Sequence, residues 1–211
     1  ALRRFIDDAL HGYAQARDFA AEAGTSRLSP HLHFGEVSVR RVAAEVLAAG
    51  DAIAAADRDR FLAELGWREF ARHVLHHYPQ TPDRNLDPRF DDFPWAAPDE
   101  ALLEAWRHGR TGVPIVDAGM RELWHTGWMH NRVRMLVASW LTKHLRQHWR
   151  HGARWFWDTL VDADLANNTQ GWQWSAGTGA DAAPYFRVFN PATQARRFDP
   201  EGTYIAGWVP E

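Results

Sequence analysis

The sequence predicts an all-α domain that spans residues 1–211. No segment alternates apolar and polar residues with the two-residue period of a strand, whereas apolar residues recur at three- and four-residue spacing along most of the chain. Glycines and prolines separate these periodic segments, as is typical of helix ends. A chain of 211 residues with 45% hydrophobic residues is long enough to bury a sizeable core.

The glycine and proline positions set the boundaries of the predicted helices. In chain order the predicted helices cover Ala1–Phe19, Val37–Ala49, Asp57–Tyr78, Glu100–His108, Ile115–His125, an apolar stripe from His130 to Trp149, and Trp155–Leu165. Residues Gln80–Pro98 are rich in proline and acidic side chains and predict a long ordered loop. The tail from Arg196 to Glu211 predicts a turn followed by an unfinished element.

Composition excludes several classes of protein. The chain has no cysteine, so disulfides and thiolate metal sites are excluded and a reducing compartment is allowed. No apolar run reaches the length of a membrane span, and Ala1–Leu10 is too charged for a signal peptide, so we expect a cytoplasmic protein with no membrane partner. The histidines are scattered, and no metal site is predicted. No Gly-x-Gly-x-x-Gly follows a strand, which argues against a Rossmann dinucleotide site.

Charges and aromatic residues indicate an anionic partner. The net charge is −3, but Arg121–Arg150 holds six Lys/Arg against one Glu, while Asp83–Glu104 holds seven acidic residues against two arginines. A basic face on a mildly acidic protein fits an anion-binding surface, although a solvated helix face would show the same pattern. The twelve tryptophans are an unusually large number and indicate stacking, redox chemistry or a ligand cage as well as packing.

The stretch Asp162–Trp174 is the chemically densest part of the chain. It combines two carboxylates, four amides and two indoles in thirteen residues. Amides and carboxylates can bind the edge of a polar ring system while indoles line its surroundings. The simpler interpretation is a helix-to-loop junction in which Asn and Asp act as caps and turn formers.

A second polar segment, Thr25–Ser29, precedes Pro30 and provides three hydroxyl groups and one guanidinium. Hydroxyls and free backbone N–H groups at a helix start can bind an anion, and Arg27 adds a fixed charge. Capping by Ser29 alone would explain one hydroxyl and leave the others without a role. We therefore favour a phosphate site here.

Two helix faces carry further candidates. Glu64, Trp67 and Arg68 fall at i, i+3 and i+4, so we expect them on one face that could stack on and read a nucleobase; a partly buried Trp between surface ions is the alternative. Arg132 and Arg134 lie in the first turn of the helix that starts near His130, where the helix dipole disfavours cations unless an anion binds.

Together these motifs resemble the helical FAD-binding domain of the photolyase/cryptochrome family. The matching segments, in the family's order, are Tyr13 with Arg17-Asp18-Phe19, Thr25–Ser29, Glu64–Phe70, Gly112–Asp117, Gly127–Arg132, Asp162–Trp174 and Asp181–Pro191. The family's usual N-terminal α/β antenna domain is absent, so the chain resembles a domain cut from a longer protein, and we expect that antenna domain in the full-length protein.

The resemblance implies that the cofactor is FAD. Tyr13 and Thr25–Ser29 would bind the diphosphate and nearby parts of a U-shaped FAD, Arg134 would pair with Asp162 beside the flavin, and Asn168 would face flavin N5 and help to keep the reduced flavin anionic. The implied cofactor-binding residues are Tyr13, Thr25, Ser26, Arg27, Leu28, Ser29, Arg134, Asp162, Ala163, Asp164 and Asn168.

The resemblance also implies an activity and a partner: light-driven repair of cyclobutane pyrimidine dimers in UV-damaged DNA by a monomeric enzyme. The implied catalytic residues are Glu64, Asn168 and an electron-transfer chain of Trp172, Trp149 and Trp95, although the loop that carries Trp95 differs in length from the family pattern. The implied DNA-binding residues, which would flank a flipped-out dimer or hold phosphates, are Arg17, Glu64, Trp67, Arg68, Asn131, Arg132, Met135, Trp174 and Arg187.

Two positions bear on the subtype. Asn131 stands where (6-4) photoproduct enzymes carry a histidine, and Asn168 stands where plant-type cryptochromes tend to carry Asp. Both favour a cyclobutane dimer enzyme. The alternatives are a blue-light-sensing cryptochrome without repair activity and a flavin-binding remnant that has lost its activity.

Overall fold

The computed structural model describes residues 1–181 and 188–211, and within them the chain forms helices and no strand. The helices are α1 Leu2–Arg4, α2 Tyr13–Ala16, α3 Ser29–His33, α4 Val39–Ala48, α5 Ala55–His77, α6 Glu100–Arg107, α7 Pro114–Thr126, α8 Asn131–Ser139, α9 Trp149–Thr159, α10 Leu165–Ala176, α11 Pro191–Phe198 and α12 Thr203–Trp208. Two π-helical turns, Phe5–Ala9 and Trp140–His144, and two 3₁₀ turns, Gly50–Ala52 and Pro88–Phe90, complete the described helical structure. The all-α prediction is confirmed.

The prediction of one continuous helix over Ala1–Phe19 is wrong. The chain forms α1, a π-helical turn and α2, with a break at Gly12, whose φ of 78° lies in the left-handed region. Asp57 on α5 accepts hydrogen bonds from the backbone N–H groups of Gly12 and Ala14 at 2.9 and 2.8 Å. A side chain more than forty residues away thus caps α2, and no local pattern shows it.

The prediction that helix continues through the region from His130 to Leu165 is also wrong. The apolar stripe is divided between α8, the turn Trp140–His144 and α9, and the chain reverses at Arg146, whose φ is 51°. Between α9 and α10, residues 160–164 form a connection in which Asp164 accepts a hydrogen bond from Asn167 N and starts α10. This break brings Asp162 and Asp164 into a loop between two packed helices.

The apolar side chains form two clusters. The larger joins α6 to α10 and α12 around Trp106, Met120, Leu141 and Trp149, each at most 1% exposed. The smaller contains Phe5, Tyr13, Val42, Phe61 and Leu65 and joins the N-terminal segment to α4 and α5. Because α10 packs against both α5 and α9, it connects the two halves.

The predicted ordered loop 80–98 is confirmed and is held by one buried amide. Gln173 on α10 is fully buried; its Nε2 donates to the carbonyls of Thr81 and Arg84, and its Oε1 accepts from Leu86 N. These bonds of 2.8, 2.9 and 2.8 Å fix the first part of the loop that carries Trp95.

The turn predicted in the tail follows α11 at residues 199–202, and the element after it is the short helix α12. Tyr204 on α12 is buried and its hydroxyl donates to Glu122 Oε2 on α7 at 2.6 Å. Burial raises the pKa values of both groups. No helix among the described residues has the length and apolar character that a membrane crossing needs.

Candidate functional site

Asp162 lies at the centre of the candidate site. It is 6% exposed and accepts hydrogen bonds from the Ser29 hydroxyl and from Arg134 Nη2, which contacts both carboxylate oxygens at 3.0 and 3.1 Å. Arg134 is fixed in turn by a 2.8 Å bond from its Nε to the carbonyl of Met129. The start of α3, the start of α8 and the loop before α10 therefore meet at one buried ion pair, in agreement with the predicted Arg134–Asp162 pair.

Asp164 forms a second charged centre two residues later. Its Oδ2 lies 3.1 Å from both Arg68 Nη2 and Arg72 Nη2, and its Oδ1 accepts from the backbone and side-chain N–H groups of Asn167. Burial alone would raise the pKa of Asp164, but the hydrogen bonds from Asn167 and the two guanidinium charges outweigh burial and lower it. Asp164 is therefore ionised at neutral pH and joins α5 to α10.

The segment Thr25–Ser29 approaches Asp162 through Ser29. It does not cap a helix as the simple interpretation required, because the Ser29 hydroxyl donates to Asp162 and Ser29 is itself the first residue of α3. Within the described chain, the backbone N–H groups of Thr25, Ser26 and Arg27 have no hydrogen-bond acceptor. Arg27 has a φ of 48°, and its guanidinium lies 4.2 Å from the ring centroid of Trp128. Polar donors are thus arranged here without a protein partner.

Asn168 projects from the first turn of α10. Its Nδ2 donates to the carbonyl of Ala153 on α9 at 2.8 Å, which fixes the amide and leaves its oxygen for another donor. Trp172 lies one turn further along α10, is 3% exposed, and fills the space beside Gly152 on α9. The amide and the indole are therefore set on the same buried side of α10.

The three predicted redox tryptophans follow one path between α10 and the loop 80–98. Trp149 lies on α9 one turn before Gly152, against which Trp172 packs. Its neighbour His148 has its ring 5.5 Å from Trp149 and 5.1 Å from Trp95. The structure thus places the His148 ring in contact with both Trp95 and Trp149, and Trp172 of α10 packs against the next turn of α9.

The outer face of α5 carries Glu64 and Trp67. Trp67 is 63% exposed and packs edge-on against Phe70, with ring centroids 5.9 Å apart. Glu64 is partly exposed and its Oε1 pairs with Arg17 and, at 3.8 Å, with Arg60. Arg68 does not share this face, because its side chain turns inward to Asp164. The predicted stacking surface therefore consists of Glu64 and Trp67 without Arg68.

Comparisons with known proteins decide the family. The family model described as the FAD binding domain of DNA photolyase matches residues 61–211. The chain belongs to this family. A deoxyribodipyrimidine photo-lyase of Agrobacterium fabrum is 53% identical over 210 residues, which are all of this chain and 44% of that protein. Cryptochrome-1 of Arabidopsis thaliana is 45% identical over all of this chain and 32% of its own length.

The fold agrees with this assignment. The crystal structure of a bacterial class III photolyase from Agrobacterium tumefaciens superposes with a TM-score of 0.95 at 53% identity, covering 99% of this chain and 43% of that one. The chain spans less than half the length of the curated photo-lyases from Agrobacterium fabrum, Thermus thermophilus and Alkalihalophilus pseudofirmus that it matches. It is a photolyase-type FAD-binding domain, and its cofactor is FAD.

The residues of this photolyase domain fit FAD. The free N–H groups of Thr25–Arg27 suit phosphate oxygens, since an anion would satisfy donors that have no acceptor in the described chain. The Arg134–Asp162 pair and the fixed amide of Asn168 provide a cation, a carboxylate and a free carbonyl oxygen, which are groups that suit the edge of a heteroaromatic ring. The Tyr13 ring is buried against Phe5 and Phe61, and burial raises its pKa to about 12.

The structure places three arginines that the resemblance assigns to DNA phosphates in ion pairs with carboxylates. Arg17 and Arg68 are 7% and 9% exposed, and each is bound to a carboxylate, so neither reaches solvent as a phosphate ligand would. Arg132 donates to Asp18 at 2.6 Å and stacks over Phe198 at 4.3 Å, which ties α8 to the N-terminal segment and α11. The fourth, Arg187, lies outside the described residues.

Arg72 and Asn85 contact site residues but are not among the candidates that the sequence predicts. Arg72 is the second partner of Asp164, and its i+4 spacing from Arg68 on α5 could have indicated a shared acid. Asn85 accepts a hydrogen bond from the indole of Trp149, 64 positions away, and no sequence signal shows it. No group of three or more metal-ligating side chains occurs among the residues that the structure describes.

Two buried histidines, His130 and His148, are expected to make the folded domain less stable at acidic pH. Each caps a helix, since its Nδ1 accepts from the backbone N–H two residues later, and burial lowers each pKa from 6.5 to about 4. At a pH between about 4 and 6.5, these two imidazoles bind a proton in the unfolded chain but not in the folded chain. The free energy of unfolding therefore falls as the pH drops from about 6.5 toward 4. The shift of His130 corresponds to roughly 3 kcal/mol.

Urea unfolding at pH 7 and pH 5 would test this expectation. His130→Asn keeps a capping oxygen but cannot titrate, so its loss of stability at pH 5 should be smaller than that of the parent. The same substitution at His11, which is exposed, serves as the control. An unchanged pH dependence in His130→Asn would contradict the role of this buried imidazole.

Proposed function

We propose that this chain is the flavin- and DNA-binding domain of a deoxyribodipyrimidine photo-lyase, which uses light to split cyclobutane pyrimidine dimers in DNA. The main supporting observation is the face of α5, where Trp67 is 63% exposed one turn from a carboxylate. That carboxylate, Glu64, is oriented by the buried Arg17. Relatives named deoxyribodipyrimidine photo-lyase support the same class of enzyme.

The exposed indole of Trp67 would stack on a flipped-out dimer. A damaged pair of bases is poorly stacked in the duplex, so its extrusion costs less than that of a normal pair. Among the described cations, those that pair with Glu64 contact Oε1, so Oε2 is available to a ring N–H of the dimer. Trp174, Asn131 and Met135 would complete the pocket, and the exposed amide of Asn131 would hydrogen-bond without donating a proton, which favours cyclobutane dimers over (6-4) photoproducts.

FAD, bound in its reduced form, would supply the electron on excitation by light. The chain's residues would orient it: Arg134 and Asp162 beside the flavin, Asn168 at N5, and the Thr25–Ser29 segment on the diphosphate. Trp95, Trp149 and Trp172 would carry electrons from the surface toward the flavin. Exposed Arg72, in place of buried Arg68, would add positive charge near the DNA.

A second candidate function is a blue-light-sensing cryptochrome, which would bind the same flavin and signal through a partner protein. The 45% identity with a cryptochrome over the whole chain favours this alternative. The two functions differ in whether illuminated protein restores damaged DNA.

Photorepair of an oligonucleotide with one thymine dimer tests the proposal directly. The full-length protein, with reduced FAD bound, is illuminated with this DNA, and intact thymines are measured. Trp67→Ala should weaken binding of the dimer by about 1–3 kcal/mol through lost stacking, and Glu64→Ala by about 1.5–3 kcal/mol through a lost charged hydrogen bond. Both should lower the repair rate at limiting enzyme.

Another exposed tryptophan and another exposed glutamate serve as matched controls. Trp124 is 64% exposed on α7, away from the site, so Trp124→Ala should repair as the parent does. Glu69 is exposed on α5, and Glu69→Ala should also be neutral. Bound FAD that photoreduces without any repair at excess enzyme would refute the photo-lyase proposal and support the cryptochrome.

A further inference from the structure

The indole N–H of Trp149 has a single, well-defined acceptor. Trp149 is 1% exposed, and its Nε1 donates to Asn85 Oδ1 at 3.1 Å. Asn85 is itself 7% exposed and lies in the loop that follows α5. A buried indole needs a partner for its N–H, and a backbone carbonyl would serve, as Val137 O does for Trp106. Here the partner is a side chain, which a substitution can change.

The amide of Asn85 is fixed on its other side. Its Nδ2 donates to the carbonyl of Phe90 at 3.1 Å and to Asp91 Oδ1 at 2.8 Å. These two bonds determine which end of the amide faces the indole. They also form a chain of indole, amide and carboxylate, in which the negative charge of Asp91 polarises the amide and makes Oδ1 a better acceptor.

Charges of both signs surround Trp149, and the carboxylate of Asp91 contacts its acceptor Asn85. A cavity of about 310 Å³ lies beside it, and Asp83, Asp91 and Asn85 contribute to its wall together with His148 and two arginines. The His148 ring contacts the rings of both Trp149 and Trp95. Burial lowers the pKa of His148 to about 4, so it adds no positive charge beside the two indoles at neutral pH.

We propose that Asn85 is a positioning residue for electron transfer, which keeps the proton on Trp149 while that indole is oxidised. This inference rests on the proposed function, in which the tryptophan chain supplies the electrons that bring oxidised FAD to its reduced form: excited, oxidised FAD would take one electron from Trp172, and electron transfer from Trp149 would follow. One electron leaves Trp149 and restores Trp172, so Trp149 becomes a cation. One electron from Trp95 then restores Trp149, and a soluble thiol reductant restores Trp95.

The choice of an amide at position 85 follows from acid–base chemistry. Oxidation makes an indole N–H a much stronger acid, and a carboxylate acceptor would remove its proton. The resulting neutral radical would be harder to reduce, since the proton must return with the electron, and the unpaired electron would stay on Trp149. An amide oxygen stabilises the cation by a hydrogen bond but is too weak a base to take the proton.

Two variants separate hydrogen bonding from proton transfer. Asn85→Asp, made together with Asp91→Asn so that an amide faces the new carboxylate, has the same shape and supplies a base, whereas Asn85→Leu supplies no acceptor. In the dark, exchange of the Trp149 indole hydrogen, measured by NMR on the full-length protein, should be about tenfold faster in Asn85→Leu and near the parent rate in the double variant. The indole hydrogen of Trp106, bound to Val137 O, is the internal control and should not change.

Transient absorption gives the decisive measurement. In a Trp95→Phe background, oxidation stops at Trp149, so its radical can be observed alone in the flavin-loaded protein. The cationic form is expected with Asn85 and the neutral form with Asp at that position. A cationic radical in both proteins would overturn the role of Asn85 while leaving the proposed function intact. No tryptophan radical in the parent would overturn the proposed electron route, and the role of Asn85 with it.

Discussion

Replacing Gly152 with alanine is expected to lower the free energy of unfolding by about 1–3 kcal/mol and to displace Trp172. An ideal Cβ at Gly152 would lie 2.0 Å from Cη2 of Trp172 and 2.4 Å from Cζ3. The ring cannot retreat easily, because Phe156 and Trp106 hold it with centroids 5.0 and 6.0 Å away. The proposed function adds a second consequence: FAD should be retained less firmly, since Trp172 lies one turn from Asn168.

Urea unfolding followed by tryptophan fluorescence would measure this effect. Gly171→Ala is the matched control, because Gly171 is also helical and its ideal Cβ has no heavy atom within 4 Å. That control should gain up to about 1 kcal/mol from the higher helix propensity of alanine. A Gly152→Ala protein as stable as Gly171→Ala would contradict the close packing of Trp172 on α9.

Asp162→Asn is expected to destabilise the domain by about 3 kcal/mol and to abolish tight FAD binding. The substitution keeps the shape of the side chain but leaves the Arg134 guanidinium without its carboxylate at a buried position, and the loss of one member of a buried pair costs about 3–5 kcal/mol. We expect a loss at the lower end of this range because the Arg134 side chain is 25% exposed, so water screens part of its charge. The Ser29 hydroxyl also loses its charged acceptor.

Two further variants separate the effect on stability from the effect on FAD binding. Asp158→Asn changes an exposed carboxylate on α9 that has no ion pair within the described chain, and it should leave both properties unchanged. The double variant Asp162→Asn with Arg134→Met removes the unpaired cation and should regain part of the stability without regaining FAD. Unfolding midpoints and the ratio of flavin to protein after gel filtration are the two readouts. Tight FAD binding by the double variant would refute the assignment of this ion pair to the flavin.

Local sequence determined the fold class and the positions of most helices. The helices α5, α6 and α7 begin and end within two residues of their predicted limits, because their periodicity and their glycine and proline boundaries are local features. The composition of Asp162–Trp174 and of Thr25–Ser29 indicates candidate polar sites but leaves capping as an alternative for each, and the structure joins the two segments through Ser29 and Asp162. The pairing of Arg134 with Asp162 was implied by family resemblance.

Tertiary structure decided which of these groups face each other and which face solvent. The break at Gly12 depends on Asp57, the burial of Arg68 on Asp164, and the acceptor for Trp149 on Asn85; these contacts join residues 45, 96 and 64 positions apart. A periodic pattern describes one helix face at a time and does not determine the helix that will cover it. For this reason the sequence predicted a surface of Glu64, Trp67 and Arg68, while the fold turns Arg68 inward to neutralise a buried carboxylate and leaves Trp67 exposed.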